Sequence, residues 1–209
     1  MIFDLYSIER ETGKKITGAI HVGAFVGEEL GQYRNLGLCN TILFEPQPNL
    51  YKIVKDKCLI GEKVYNVALG SEKCQKEMSV SWRAGGVDHG CGASSSLLKP
   101  KKHLTEHPEV TFPETIMVDV HTLDDYYETG YNFLNVDVQG YELEVLRGGI
   151  KMLGHIDTMI LEVNRDEVYE ECPMIEDIDA FLLDLNFDRI AVHWQSDSWG
   201  DAVYAKRQH

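Results

Sequence analysis

The stretch Ala19-Ile-His-Val-Gly-Ala-Phe-Val-Gly-Glu-Glu-Leu30 decides the fold. An apolar run with the length of a buried strand breaks at Gly23, turns through Ala24 to Gly27, and resumes with helical spacing at Leu30, Tyr33 and Leu36. The pattern predicts a strand, a tight turn and a helix. Gly23 lets the strand stop abruptly and lets backbone approach a ligand, and Gly27 relieves crowding where the turn enters the helix. Backbone N–H groups at such a turn can meet a polar ligand. Gly-x-x-x-Gly alone specifies no cofactor, so the residues downstream must.

Outward from this unit the alternation continues. The first helix runs from about Glu28 to near Gly37, Thr41 to Glu45 reads as a second buried strand stopped by Pro46 and Pro48, and Leu50, Ile53 and Val54 resume a helical stripe. Val64 to Leu69 reads as a third strand, closed by Gly70. Between Ser71 and Val118 the alternation lapses into glycines, serines and prolines, predicting an irregular cover with a hairpin near Met78 to Trp82. It returns with a helix at Thr122 to Tyr127, a strand at Phe133 to Val138, a helix at Tyr141 to Arg147 and a strand at Thr158 to Val163. A helix at Glu176 to Leu185 follows, then Arg189 to Trp194 and Ala202 to Ala205 as an antiparallel pair at a sheet edge. Strands alternating with helices predict an open, mostly parallel α/β sheet. The expected organisation is a single domain over 1–209, with 1–15 an N-terminal extension serving as lid or extra helix and 71–118 a cover over the acceptor site.

A chain of 209 residues can bury roughly 70% of its unfolded surface and needs no disulfide or metal to support its core. The five cysteines are scattered, with no C-x-x-C pair, and read as thiols in a reducing compartment. No apolar run approaches the ~20 residues of a membrane span, and the acidic start is unlike a signal peptide, so a cytoplasmic protein without a membrane partner is expected. A formal charge of −14 argues against nucleic acid as partner. Lys99, Lys101 and Lys102 read as a solvated loop.

In such a sheet, ligands bind outside the carboxyl ends of the strands. The residues falling there are His21, Gly23 and Gly27, then Glu45, Asn66 to Ala68, Asp137 and Gln139, and Glu162 and Asn164. Glu45 lies about 20 residues beyond the glycine turn, where a carboxylate can accept both hydroxyl hydrogens of a ribose. That suits a nicotinamide cofactor or S-adenosylmethionine. Ala24 and Phe25 follow Gly23, so the tight G-x-G-x-x-G is absent, which favours a ligand without phosphate.

His-Val-Gly-Ala-Phe-Val-Gly-Glu-Glu at 21–29, Phe-Glu-Pro at 44–46, Asn-Val-Ala-Leu-Gly at 66–70, Ser-Ser-Ser-Leu-Leu at 94–98, Thr-Leu-Asp-Asp at 122–125 and Val-Asp-Val-Gln-Gly-Tyr-Glu-Leu-Glu-Val-Leu-Arg-Gly-Gly at 136–149 together resemble the FkbM-type methyltransferases. The resemblance covers roughly residues 16–195. It implies a class I, Rossmann-like fold with a seven-stranded sheet, S-adenosylmethionine as donor, and O-methylation of a sugar, glycan or natural-product hydroxyl. Many members carry aspartate where this chain has His21. Carried over, the resemblance implies that His21, Gly23, Ala24, Phe25, Gly27 and Glu28 hold the methionine part, and Glu45 and Pro46 the ribose. Asn66, Val67 and Ala68 would hold the adenine edge, while Asp137, Val138 and Gln139 would face sulfonium and acceptor.

Methyl transfer requires the acceptor oxygen to be aligned, water excluded and a hydroxyl proton removed. Candidates for the base are Asp137, Glu162, His21 and His193. Glu162 ends an apolar strand and is open to desolvation, while Asp137 can also cap the helix that follows it. Glu142 and Glu144 read as capping and surface acids. Asp137, Glu162 and Asn164 can instead hold a magnesium ion that orients the acceptor. Trp82, Ser94, Ser95, Ser96, Tyr141 and His193 are the candidate acceptor contacts. Two other readings stand beside this one: a non-catalytic module that binds S-adenosylmethionine or a glycan, and a zinc hydrolase through His103-Leu-Thr-Glu-His107, which matches H-x-x-E-H. Asp88, His89 and Cys91 form a further possible cluster in a glycine-rich loop.

Overall fold

The computed structural model describes residues 3–83 and 92–207, so Gly85, Gly86 and the Asp88, His89, Cys91 cluster lie outside the described residues. The chain begins with α1 (Leu5–Thr12), capped by the Asp4 carboxylate on Ser7 N–H and closed by Gly13 at φ 67°. Then come β1 (Ala19–Val22), α2 (Leu30–Asn35), β2 (Thr41–Phe44), α3 (Pro48–Lys57), β3 (Glu62–Tyr65), β4 (Ala68–Leu69) and β5 (Cys74–Arg83). They are followed by α4 (His103–Glu106), β6 (Val110–His121), a 3₁₀ turn (Leu123–Tyr126), β7 (Phe133–Val136), α5 (Glu142–Arg147) and α6 (Ile150–Leu153). The chain closes with β8 (Thr158–Asn164), α7 (Ile175–Asp184), β9 (Phe187–Trp194) and β10 (Trp199–Lys206).

Seven strands form one sheet in the order β3-β2-β1-β7-β8-β10-β9. All neighbours are parallel except β10, which runs against both β8 and β9 and makes the C-terminal edge hairpin. Strands β1, β2, β7 and β8 are buried throughout, which is why they read as continuous apolar runs: helices cover both faces. On one face Ile20, Val22, Leu134, Val136 and Leu161 pack against Val145, Leu146, Met152, Ile178 and Leu182. On the other, Ala19, Phe133 and Ile160 meet Leu5, Ile8 and Tyr33, which makes the N-terminal segment an extra helix on the sheet. Cys39, Cys58, Cys74 and Cys172 are free thiols. Among the described residues, no helix is long and apolar enough to cross a membrane.

Two expectations are corrected. The third strand is split: β3 completes the main sheet, whereas β4 leaves it to pair with β6 in a second sheet of order β4-β6-β5. Segment 71–118 is also far from irregular, because β5 and β6 pair antiparallel from Cys74↔Val120 to Arg83↔Val110. Pro113 hid this. The register slips between Val80 and Trp82, so Phe112 and Pro113 share the span opposite Ser81. A proline, lacking its N–H, is tolerated at such a bulge. Ala68, Met78, Val118 and Val120, with Leu97, form a small apolar core of this sheet's own.

Candidate active site

A cavity of about 500 Å³ lies between the carboxyl ends of the main sheet and the second sheet. The turns after β1, β2 and β7, with Glu162 of β8, supply one wall. Gly23, after β1, has φ 86° and donates its N–H to Phe44 O at 3.0 Å, tying the end of β1 to that of β2. Phe25 takes φ 49°, an uncommon conformation for a non-glycine residue, and its N–H donates to Glu45 Oε2 at 2.8 Å. The other oxygen of Glu45 accepts from Gln47 N–H at 2.9 Å. Glu45 is thus both a wall of the cavity and the brace of the glycine turn. Burial lifts its pKa to about 7 even though those two N–H groups favour the charged form.

The second center of charge follows β7. Gln139 Nε2 donates to Asp137 Oδ1 and to Glu162 Oε2, both at 2.8 Å, so one side-chain amide joins two carboxyl groups from adjacent strands. Gln139 has φ 57° and Gly140 φ 96°, and the turn is held because Glu142 Oε1 accepts from the N–H groups of Val138 and Gly140, each at 3.1 Å. Tyr169 Oη, 2.9 Å from Gln139 Oε1 and from Ser94 O, fixes the amide from the far side. Burial raises Asp137, and it raises Glu162 well above the usual carboxylate range, with the charges of Asp137, Glu142 and Asp201 adding to the effect. The two carboxyl groups face each other across one amide and titrate as a pair, which burial holds in a protonated state to higher pH than free carboxyls.

The cavity brings together Gly23, Phe25, Glu28, Glu45, Pro46, Val67, Ala68, Asp137, Val138, Gln139, Glu162, Ser94, Ser95 and Tyr141, together with His21. Other candidates stand elsewhere. Ala24 is buried in the core beside Leu30, and Gly27 serves the turn at φ 72°. Asn66 does not border the cavity; its Nδ2 donates to the carbonyls of Glu45 and Pro46 at 2.9 Å and so holds the loop after β2. Ser96 donates to Gln139 O at 2.7 Å. Trp82 is 45% exposed on β5, and His193 is exposed on edge strand β9 opposite Asp201, and neither borders the cavity. His21 is corrected as a base. Its Nδ1 lies 3.3 Å from Tyr33 Oη and its Nε2 3.1 Å from Asn135 Nδ2, and burial lowers its pKa, so the ring braces β1 against β7. Glu142 is no surface acid but fully buried, and Asn164 is buried with neither amide atom partnered among the described residues.

Among the described residues, no three histidine, cysteine, aspartate or glutamate side chains are placed to hold a metal ion. Helix α4 has only four residues, and Glu106 of the H-x-x-E-H stretch faces Lys102 and Ser198. Sequence reasoning also passed over Gln47, Ser81, Arg83, Glu109 and Trp199, all bordering the cavity. Ser81 and Arg83 lie on β5, Glu109 just before β6, Gln47 at the start of α3 and Trp199 on β10, where no local signal marks them.

The buried carboxyl groups make a pH prediction. Glu45 and Glu142 are raised from 4.5 to about 7 and Asp201 from 3.8 to about 6. The folded chain thus keeps protons that the unfolded chain releases, and these groups favour folding most at low pH, with their contribution lost as pH climbs through 6 to 7. The melting temperature is expected to fall between mildly acidic and mildly alkaline buffer, by roughly a few kcal/mol in stability, and Glu142→Gln should flatten that slope. A flat profile in the unsubstituted protein would contradict the burial argument.

The strand order, with one antiparallel strand inserted before the last, and the ligand cavity at the carboxyl edge define a class I methyltransferase fold. An FkbM methyltransferase from Methylobacillus flagellatus superposes with a TM-score of 0.60 at 14% identity, over 91% of this chain and 44% of that one. The magnesium protoporphyrin IX methyltransferase of Synechocystis PCC 6803, solved with bound S-adenosylmethionine, gives 0.53 at 9% identity, over 97% and 76%. Residues 21–189 match the methyltransferase FkbM domain, and the chain belongs to that family of S-adenosylmethionine-dependent methyltransferases. The 2-O-methyltransferase NoeI of Sinorhizobium fredii is 33% identical over 108 residues, 45% of this chain and 44% of that protein. The chain thus spans under half the length of that curated relative.

Proposed function

We propose that the protein transfers a methyl group from S-adenosylmethionine to a hydroxyl of a sugar or glycan. The observation that carries this reading is the Asp137–Gln139–Glu162 arrangement, a carboxyl pair desolvated at the edge of the cavity and held by an amide. A carboxylate so placed can accept the proton of an acceptor hydroxyl, and a positioned base is worth about 10²–10⁴-fold. Similarity to a relative named a 2-O-methyltransferase supports oxygen as the acceptor atom.

The residues fit the donor. S-adenosylmethionine, when bound, supplies an electrophilic methyl carbon on a positively charged sulfur. A cavity of about 500 Å³ is within the usual span for a cofactor of this size, roughly 300–1,000 Å³. Its acidic lining, with Glu28, Glu45, Asp137 and Glu162, suits a cation. Glu45 retains free lone pairs for a ribose diol beyond the two N–H groups it accepts. Phe44, Val67 and Ala68 offer an apolar surface for adenine, and the turn from Gly23 to Glu28 would hold the amino-acid end. Gln139 keeps the carboxyl pair in one geometry and Tyr169 keeps Gln139 there, which is the orientation an in-line displacement demands.

Calorimetry with S-adenosylmethionine, followed by mass spectrometry of candidate sugars for the gain of one methyl in place of a hydrogen, tests the reading. Glu45→Ala is expected to weaken donor binding about 10–100-fold, through loss of the diol contacts and of the brace on Phe25, and Glu45→Gln much less. Unchanged affinity in Glu45→Ala would refute the ribose assignment.

A further inference from the structure

The two walls of the cavity differ in chemistry. The strand-end wall carries Glu28, Glu29, Glu45, Asp137 and Glu162. The facing wall, from β5, the loop at 92–97, α4 and the start of β10, carries Ser81, Ser95, His103, His107 and Trp199. Arg83 is the one lysine or arginine bordering the cavity among the described residues. It already faces Glu109 at 3.6 Å, and the same carboxylate lies 3.8 Å from His107. A phosphate or carboxylate entering here would meet a surplus of negative charge and no spare cation.

His103 stands out on the facing wall. It is 4% exposed, borders the cavity, and its Nδ1 has no hydrogen-bond partner among the described residues. The ring is nonetheless firmly placed. Phe112 meets it edge-on at 5.4 Å between centroids, Tyr169 lies at 5.5 Å and His107 at 5.0 Å. The N–H groups of Lys101 and His103 donate to Val168 O at 3.0 and 3.1 Å, and Lys101 and Lys102 pair with Glu167 and Asp166. Burial, helped by His107, lowers the pKa of His103 to about 4, so the imidazole is neutral and has one nitrogen to donate and one to accept. The fold thus holds a polar ring rigidly at the cavity and leaves its buried Nδ1 without a hydrogen-bond partner among the described residues. Tyr169 touches both this ring and the Gln139 amide, which links the facing wall to the carboxyl pair.

We propose that His103 is the acceptor-recognition residue, and that the acceptor it takes is an uncharged sugar ring whose hydroxyl hydrogen-bonds the imidazole. This rests on the reading of the chain as a sugar O-methyltransferase. A neutral polyol satisfies the ring without bringing charge into an acidic cavity, and Trp199 and the serine hydroxyls suit the mixed apolar and polar faces of a pyranose.

The test uses the full chain labelled with ¹⁵N-histidine and saturated with S-adenosylhomocysteine. It is titrated with methyl α-glucopyranoside, galactopyranoside, mannopyranoside and fucopyranoside, and in separate arms with methyl glucuronide and mannose 6-phosphate. At least one neutral glycoside is expected to shift the His103 ring nitrogens saturably. His103→Phe, which keeps the aromatic packing, should weaken that glycoside by at least about tenfold, while His103→Gln retains most of the affinity. S-adenosylhomocysteine affinity should stay put in both variants. Equal glycoside binding by His103→Phe, silence of His103 toward every neutral sugar, or a preference for the charged sugars overturns the proposal and leaves the donor assignment standing. Failure of the unsubstituted protein to bind S-adenosylhomocysteine overturns the methyltransferase reading itself, and this proposal with it.

Discussion

Asp137→Asn is expected to lower kcat by about 10²–10⁴, the worth of a positioned general base, while S-adenosylmethionine still binds. The substitution is nearly isosteric and keeps an oxygen to accept from Gln139 Nε2, so the geometry of the turn survives and the basicity is lost. Glu162→Gln should also impair turnover, by a different route. Gln139 donates to both carboxyl groups, and replacing Glu162 removes one member of the pair and so changes the environment that sets the pKa of Asp137. Because the two act as one titrating unit, the double variant is expected to cost little more than the worse single one. In the unsubstituted protein, activity should fall as pH drops through the raised pKa of Asp137, and that acid limb should vanish with Asp137→Asn. Full turnover by both single variants under saturating donor would sink the assignment of the base.

Much of this arrangement is legible in the sequence, because the main sheet announces itself physically. Strands buried on both faces are mostly apolar, so Ala19–Val22, Thr41–Phe44, Phe133–Val136 and Thr158–Asn164 stand out as runs despite the polar His21, Thr41, Asn135, Thr158, Glu162 and Asn164 within them. A polar residue after such a run marks a strand end. Glu45 and Asp137 follow their strands as that logic requires, whereas Glu162 stands inside β8, two residues before its end. The facing wall had no such signature. Strands β5 and β6 alternate partly buried and exposed positions, and Pro113 sits inside β6 where a bulge accommodates it, so pattern alone read a break. With those strands unseen, Trp82 was placed at the acceptor on its aromatic character, although the alternation of β5 turns it outward and Ser81 inward. His193 failed for the matching reason at the other edge, since β9 is the last strand and leaves its side chain exposed. Glu142 looked like a surface acid because helix position does not reveal that the preceding turn folds back on it. Only its contacts with the Val138 and Gly140 N–H groups do.

Gly23→Ala is expected to be the most damaging glycine-to-alanine change among the described residues. A Cβ at Gly23 would lie 1.8 Å from the carbonyl oxygen of Asp137 and 2.8 Å from its carbon, and the residue sits at φ 86°, where an L side chain is strained before any clash. The obstacle is backbone rather than the tip of a flexible side chain, so relief requires β1 and β7 to part at the point where their ends meet. The Asp137 N–H donates to Val22 O at 3.0 Å at that junction, and parting would break this bond and carry the Asp137 carboxylate away from Gln139 and Glu162. A loss on the order of 4 kcal/mol in folding stability is expected, read as a large drop in melting temperature. Any fraction that remains folded should still show turnover as low as Asp137→Asn. Gly31→Ala is the control. Gly31 lies within α2, a Cβ there meets nothing within 4 Å, and the substitution should stabilise the protein by about 0.5–1 kcal/mol through helix propensity. Should Gly23→Ala melt like the unsubstituted protein and turn over normally, the close approach of the glycine turn to the Asp137 carbonyl could not be what sets the geometry of the carboxyl pair.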